Sequence, residues 1–155
     1  MKVLIVYDSM YGNTEKIARS IGSAITGDVT ILRAGEVSSS NLKSITLLIV
    51  GSPTQAFRAT KSVQTFLRTI PGNALKNMDV AAFDTRMPAD EAGTGLRFFM
   101  KIGGYAAPRI ADSLKKKGGT LVVPPEGFLV KDKEGPLKEG ELERSVTWAK
   151  TIIEG

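Results

Sequence analysis

Ser9, Tyr11 and Thr14 place three hydroxyls in one short stretch, Asp8 to Thr14, with Gly12 among them. The stretch reads DSMYGNT; the apolar run Val3 to Val6 comes just before it and a helix-like segment, Glu15 to Ile25, follows. Hydroxyls can donate to an anion, a glycine lets the backbone approach it closely, and the first amides of a helix point at negative charge. At the end of a buried strand this combination is a phosphate cradle. A capped helix start would use the same residue types, so the loop alone supports a bound phosphate with that start as its alternative, and nothing finer.

Other chemistry is narrowed by composition. The chain has 155 residues, 42% of them hydrophobic, which suits one domain spanning residues 1–155 with a sizeable core. It contains neither cysteine nor histidine. Disulfides, thiolate metal sites, a cysteine nucleophile and the commonest general base are therefore excluded, and the chemistry must be borrowed or carboxylate-based. Asp8 and Asp84 suggest a carboxylate pair for magnesium, as in receiver domains, but Gly51-Ser52 stands where a phosphoacceptor aspartate is needed. No GxGxxG follows the first strand, which argues against a dinucleotide site. The start MKVLIVYDS is too short an apolar run for a signal peptide or membrane span, so a cytoplasmic protein is expected. A formal charge of +5 fits an acidic partner protein; a basic soluble surface accounts for it equally well without nucleic acid.

The elements that must position the cradle follow from periodicity. Lys2 to Tyr7 is apolar throughout, as expected of a central parallel strand. Asn13 or Thr14 can cap the next helix, with Ile17, Ala18, Ile21 and Ile25 inside and Gly27 ending it. Val29 to Leu32 reads as a second strand, and Thr46 to Val50 as a third ending at Gly51. The loop SPTQAFRAT opens there, and Lys61 to Ile70 forms a helix stopped by Pro71-Gly72. Met78 to Phe83 makes a fourth strand, followed by a polar loop, Asp84 to Gly95. In Leu96 to Ala107, Phe98, Phe99 and Met100 read as core, or as a docking patch beside the loops, but Gly103-Gly104 and Pro108 interrupt any long helix. A helix then runs to about Lys117, with Gly118-Gly119 as its cap. Thr120 to Val123 and Gly127 to Val130 form a fifth strand broken at Pro124-Pro125. Lys131 to Gly140 is charged and turn-rich, and a last helix, Glu141 to Ile153, turns Leu142, Val146, Ala149 and Ile153 inward with Trp148 half-buried. Strands alternating with helices give an α/β fold, an open parallel sheet covered on both faces.

With DSMYGNTEKIA after the first strand and GSPTQAF after the third, the chain resembles flavodoxins and the flavodoxin-like domains of flavodiiron proteins over essentially its whole length. The resemblance implies a flavodoxin-like three-layer α/β/α sandwich with a five-stranded parallel sheet in the order 2-1-3-4-5. FMN would be the cofactor, bound at the switch point beyond strands 1 and 3. Ser9, Met10 (through its amide), Tyr11, Gly12, Asn13 and Thr14 would bind the phosphate. Ser52, Pro53, Thr54, Gln55, Ala56 and Phe57 would line one side of the flavin ring, and Asp84, Thr85 and Arg86 would approach from the next loop. The function implied is electron transfer between redox partner proteins, with the flavin supplying the chemistry and no catalytic side chain. An FMN-dependent NAD(P)H:quinone-type oxidoreductase is the alternative.

The chain also departs from the family pattern. Asp84 to Gly95 has no aromatic residue, which leaves Phe57 as the stacking candidate, or else a core or partner-facing residue, with Tyr105 as a second candidate. No glycine lies between Ser52 and Thr60. Positive φ costs other residues more, so weaker stabilisation of the one-electron-reduced ring is expected. Flavodoxins are usually acidic; here Arg86 is expected to face the ring's pyrimidine end and make full reduction less unfavourable.

Overall fold

The computed structural model describes residues 1–88 and 104–154. Its elements in chain order are β1 (Lys2–Tyr7), α1 (Asn13–Ser23), β2 (Asp28–Arg33), two short 3-10 turns (Ala34–Glu36 and Ser39–Leu42), β3 (Leu47–Pro53) and α2 (Lys61–Thr69). There follow β4 (Asp79–Arg86), α3 (Ala106–Lys116), β5 (Thr120–Leu121), β6 (Glu126–Leu129) and α4 (Glu141–Glu154). Phe98, Phe99, Met100 and the distal part of the Asp84 to Gly95 loop lie outside the described residues.

The strands form one sheet in the order β2-β1-β3-β4-β5, with β6 also pairing with β4, and every pairing among these strands is parallel. The interrupted fifth strand is thus two short strands on one edge. Between them β4 uses Ala81 and Ala82, whereas the edge uses Val122 to Pro125, so two extra residues bulge out. An even number keeps the faces in phase. The prolines have no amide to give the ladder, which is why the break falls there.

Alternation along the strands divides the core. Val3, Ile5, Leu47, Ile49, Ala81 and Phe83 face Ile17 and Ile21 of α1 and Trp148 and Ile152 of α4. Leu4, Val6, Leu48, Val50, Val80 and Ala82 face Val63, Phe66 and Leu67 of α2 and Ile110 and Leu114 of α3. Burying each of the valine, leucine, isoleucine and phenylalanine side chains among these contributes about 1.5–3 kcal/mol. Both faces of β1, β3 and β4 are used, so the continuous apolar runs are explained.

Several details differ from the sequence expectations. β3 runs on to Pro53, two residues past Gly51, because Ser52 and Pro53 pair with Asp84 and Thr85 of β4. α1 begins at Asn13, capped by Gly12 at φ 90° with no side-chain cap bond, so neither Asn13 nor Thr14 serves as the cap. β4 runs three residues beyond Phe83, because β3 and β6 flank it on both sides and hold its polar end in the ladder. Asp84, Thr85 and Arg86 are therefore strand residues. In α4 the inward positions are Glu141, Ser145, Trp148, Ala149 and Ile152, while Leu142 and Ile153 are exposed. Two contacts set that phase. Trp148 packs edge-on against Phe83 and Phe128, at 6.0 and 5.9 Å between ring centres, and is buried rather than half-buried. Glu141 accepts the Leu129 amide at 2.7 Å and pairs with Arg144, which satisfies an inward carboxylate.

Candidate functional site

Parallel strands deliver their carboxyl ends to one edge of the sheet, and a cleft of about 380 Å³ opens there. One wall is Ser9, Met10, Tyr11, Asn13 and Thr14; the other is Pro53, Thr54, Gln55 and Ala56. Thr85, Arg86 and Met87 come from β4 and its continuation, and Val130 and Lys133 from the segment after β6. Most of the residues expected at the site are thus brought together.

The first loop is held in shape by its own bonds. The Gly12 amide donates to Ser9 Oγ at 3.0 Å, and Ser9 N donates to Asp8 Oδ1 at 2.9 Å. Arg33, at the end of β2, reaches the Ser9 carbonyl at 3.3 Å and lies within 3.4 Å of Asp8 and 3.5 Å of Glu15. Below the loop the Thr14 and Thr85 hydroxyls share a hydrogen bond of 2.7 Å. Helix α1 has no side-chain cap. Its first amides therefore lack acceptors within the helix, and with the dipole of the helix start they suit a phosphate dianion. The residues present fit a phosphate here.

The second wall is tied to β4 and α3. Thr54 N donates to the Thr85 carbonyl at 3.0 Å, and Thr54 Oγ1 accepts the Ala106 amide at 3.0 Å. Gln55 and Arg58 exchange two backbone hydrogen bonds around Ala56 and Phe57, whose φ values are 47° and 70°. This is a two-residue turn with both central residues left-handed, which glycine or asparagine usually occupies. Ala56 and Phe57 hold that conformation without a glycine. Positive φ in this loop is thus already present in the chain, at a cost of order 1 kcal/mol per residue.

Four expected residues stand back from the cleft surface. Ser52 is fully buried; its hydroxyl donates to the Pro53 carbonyl and accepts the Thr60 amide, closing the loop at its base. Phe57 is half-buried at the turn, where Gln55 and Ala56 form the wall. Gly12 caps α1 instead of lining the cleft. Asp84 is fully buried and takes Arg86 Nε and Nη2 at 2.7 and 2.8 Å and the Ala107 amide at 2.8 Å. Burial pushes its pKa up, against the opposing pull of Arg86, the Ala107 amide and the Thr54 hydroxyl. Arg86 therefore meets the cleft already paired, with its guanidinium over the Tyr105 ring at 3.5 Å and so close to Gly127 that a Cβ there would lie 2.1 Å from it.

Sequence reasoning missed Arg33, Met87, Val130 and Lys133. A signal existed for the last two, since the segment after the fifth strand emerges at the same sheet edge as the other loops. Its position is fixed by Asn13 Nδ2, which donates to the Glu134 carbonyl at 3.1 Å, and by Gly135, where a Cβ would crowd Asn13 at 2.6 Å.

A family model described as a flavodoxin domain matches residues 4–123. The chain belongs to the flavodoxin family. Its fold is similar to that of a flavodoxin from the domain Archaea, at 23% identity over 99% of this chain and 97% of that one, with a TM-score of 0.75. Oxidised Flavodoxin 2 from Bacillus cereus gives 21% identity, 99% of both chains and a TM-score of 0.78. Rubredoxin oxygen:oxidoreductase from Desulfovibrio gigas aligns at 25% identity over 99% of this chain and 35% of its own, with a TM-score of 0.75. Among curated proteins, none matches significantly. No helix among the described residues is long and apolar enough to cross a membrane.

Proposed function

We propose that this protein is a cytoplasmic electron carrier that holds FMN in the cleft and passes electrons between redox partner proteins. The observation that carries the reading is the juxtaposition of two walls across one cleft: the start of α1, which has no side-chain cap bond, with its Ser9 to Thr14 loop, and the Pro53 to Ala56 loop. Ser9, Met10, Tyr11, Asn13 and Thr14 would hold the phosphate, with Gly12 shaping the loop from behind. Pro53 to Ala56, Thr85 and Arg86 would border the ring. Ser52, Phe57 and Asp84 would act from behind as supports, and the FMN would supply the redox chemistry. The neutral, hydroxyl-rich first loop supports this reading because it offers donors without needing a cation.

The absorption spectrum of the purified protein, and its titration with FMN and with riboflavin, tests the proposal. Yellow protein, or tight uptake of FMN with riboflavin bound at least tenfold more weakly, is expected. Protein that stays colourless and takes up neither would sink it. A second reading, an FMN-dependent NAD(P)H:quinone-type oxidoreductase, needs space over the ring for a substrate, and the Pro53 to Ala56 wall carries no aromatic side chain to fill that space. Stopped-flow mixing with NADPH separates the two. Direct, rapid bleaching supports the reductase, and bleaching only through a partner reductase supports the carrier.

A further inference from the structure

The charge of this chain is segregated. Between Glu36 and Asp79 it carries five cations, Lys43, Arg58, Lys61, Arg68 and Lys76, and no acid. Helix α3 and the residue after it add Arg109, Lys115, Lys116 and Lys117 against a single acid, Asp112. By contrast, from Glu126 to the end acids outnumber bases, seven to five. The two segments that contain α2 and α3 therefore carry the positive excess of the sequence, and five of their cations meet between these helices.

The surface there is also concave. Two adjoining hollows, of about 300 and about 430 Å³, lie between α2 and α3 and share Gln64, Leu67 and Ser113. Arg58 and Arg109 line one end, and Arg68, Lys116 and Lys117 the other. Among the described residues none of these five pairs with a carboxylate; Lys115 alone on this side does, at 3.6 Å from Asp112. Leu67 and Ile110 give the groove an apolar floor. The arginine end adjoins the cleft: Arg58 closes the turn whose Gln55 and Ala56 form the cleft wall, and the first amides of α3 bond to Thr54 and Asp84.

We propose that the α2–α3 groove is the docking surface for an acidic protein partner, which lays carboxylates along the groove and so lies against the Gln55–Ala56 edge of the cleft. The inference rests on the electron-carrier reading for the partner's role, but not for the contact itself. Cations without a carboxylate partner around an apolar floor, of which Lys117 is held by the Ile70 carbonyl, complement a carboxylate-rich protein face, and the excess of acid elsewhere steers such a partner to this side. Nucleic acid fits less well, because no exposed aromatic ring among the groove residues offers a stacking platform for bases.

The test uses the full chain labelled with nitrogen-15 and titrated in turn with an acidic [2Fe–2S] ferredoxin, a short oligouridylate and phosphatidylglycerol vesicles. With the ferredoxin, amide shifts are expected to centre on Leu67, Arg109, Ser113 and Lys116, and binding to weaken at least tenfold between about 20 and about 200 mM salt. The double variant Arg109→Glu/Lys116→Glu should lose at least tenfold in affinity while keeping its thermal midpoint and its FMN uptake. Lys150→Glu, on the opposite side, should leave affinity unchanged. Shifts spread over the whole surface, an equal loss in Lys150→Glu, or tighter binding of the oligouridylate or the vesicles would overturn the proposal. FMN uptake is read separately by absorbance, so failure of docking and failure of the cofactor reading are distinguishable.

Discussion

Arg86 and Asp84 sit two residues apart on β4, and the guanidinium of one clasps both carboxylate oxygens of the other, at 2.7 and 2.8 Å. A strand repeats every two residues, so the pair shares the α3 face while Thr85 between them turns to Thr14. The cleft is thus bordered by an ion pair in place of a lone cation.

The pair changes what Arg86 does to the potential. In Arg86→Ala, Asp84 loses its partner, and burial favours the neutral acid, so the charge near the cleft changes little. Asp84→Asn instead leaves Arg86 charged and unpaired. In FMN-loaded protein, redox titration should show Asp84→Asn raising the potential for full reduction more than Arg86→Ala lowers it. Each variant should lose about 3 kcal/mol in urea unfolding. A larger shift in Arg86→Ala would mean that Arg86 acts as a free charge.

Thr14 and Thr85 join the first loop to β4 through one buried hydroxyl pair of 2.7 Å. Thr14→Val keeps the shape and leaves the Thr85 hydroxyl without this partner, at a cost of about 1–3 kcal/mol. FMN affinity should fall about tenfold, equivalent to 1.4 kcal/mol. The double variant Thr14→Val/Thr85→Val should recover stability in urea but not FMN affinity. Recovery of both would reduce the pair to a packing role.

Gly51 is demanded by Phe83, whose ring would lie 2.0 Å from a Cβ at that position. Gly51→Ala forces the ring away from Phe128 and Trp148, with an expected loss of about 1–3 kcal/mol. Phe83→Leu in the same chain should restore part of it, giving non-additive thermal shifts. Additive losses would refute the contact as the cause.

Two carboxylates act oppositely on pH dependence. Burial works to raise the pKa of Glu141, but the Arg144 hydrogen bonds and the Leu129 amide outweigh it and hold the pKa below the ordinary 4.5. Its contribution is fully present above the unfolded value and is lost as pH falls through the lowered folded value. Asp84 has its pKa raised, so its protonation favours the folded chain and its ionisation reduces stability as pH rises through the folded value. Unfolding of Glu141→Gln should therefore be less sensitive to acid than wild type, with about 1 kcal/mol less stability at pH 7 once solvent around half-exposed Arg144 is allowed for. An unchanged acid slope would remove Glu141 from the account.

Most strands and described helices and the first cleft wall were legible in the sequence because apolar period and loop chemistry are local, whereas the sheet order was implied only by the family resemblance. The run Val3 to Val6 needs burial on both faces, and DSMYGNT needs only a strand before it and a helix after it. What lay beyond local pattern was decided by partners distant in the chain. The polar residues Asp84 to Arg86 look like a loop until β3 and β6 pair with them, and Trp148 sets the phase of α4 only once Phe83 and Phe128 are beside it. Lys133 joins the cleft through Asn13 and Glu134, 121 residues apart, a contact no window of sequence contains. The sequence by itself determined which surfaces must be buried and where a phosphate could be met; only the tertiary structure decided which charges are paired there, because pairing depends on which strand ends the sheet makes neighbours.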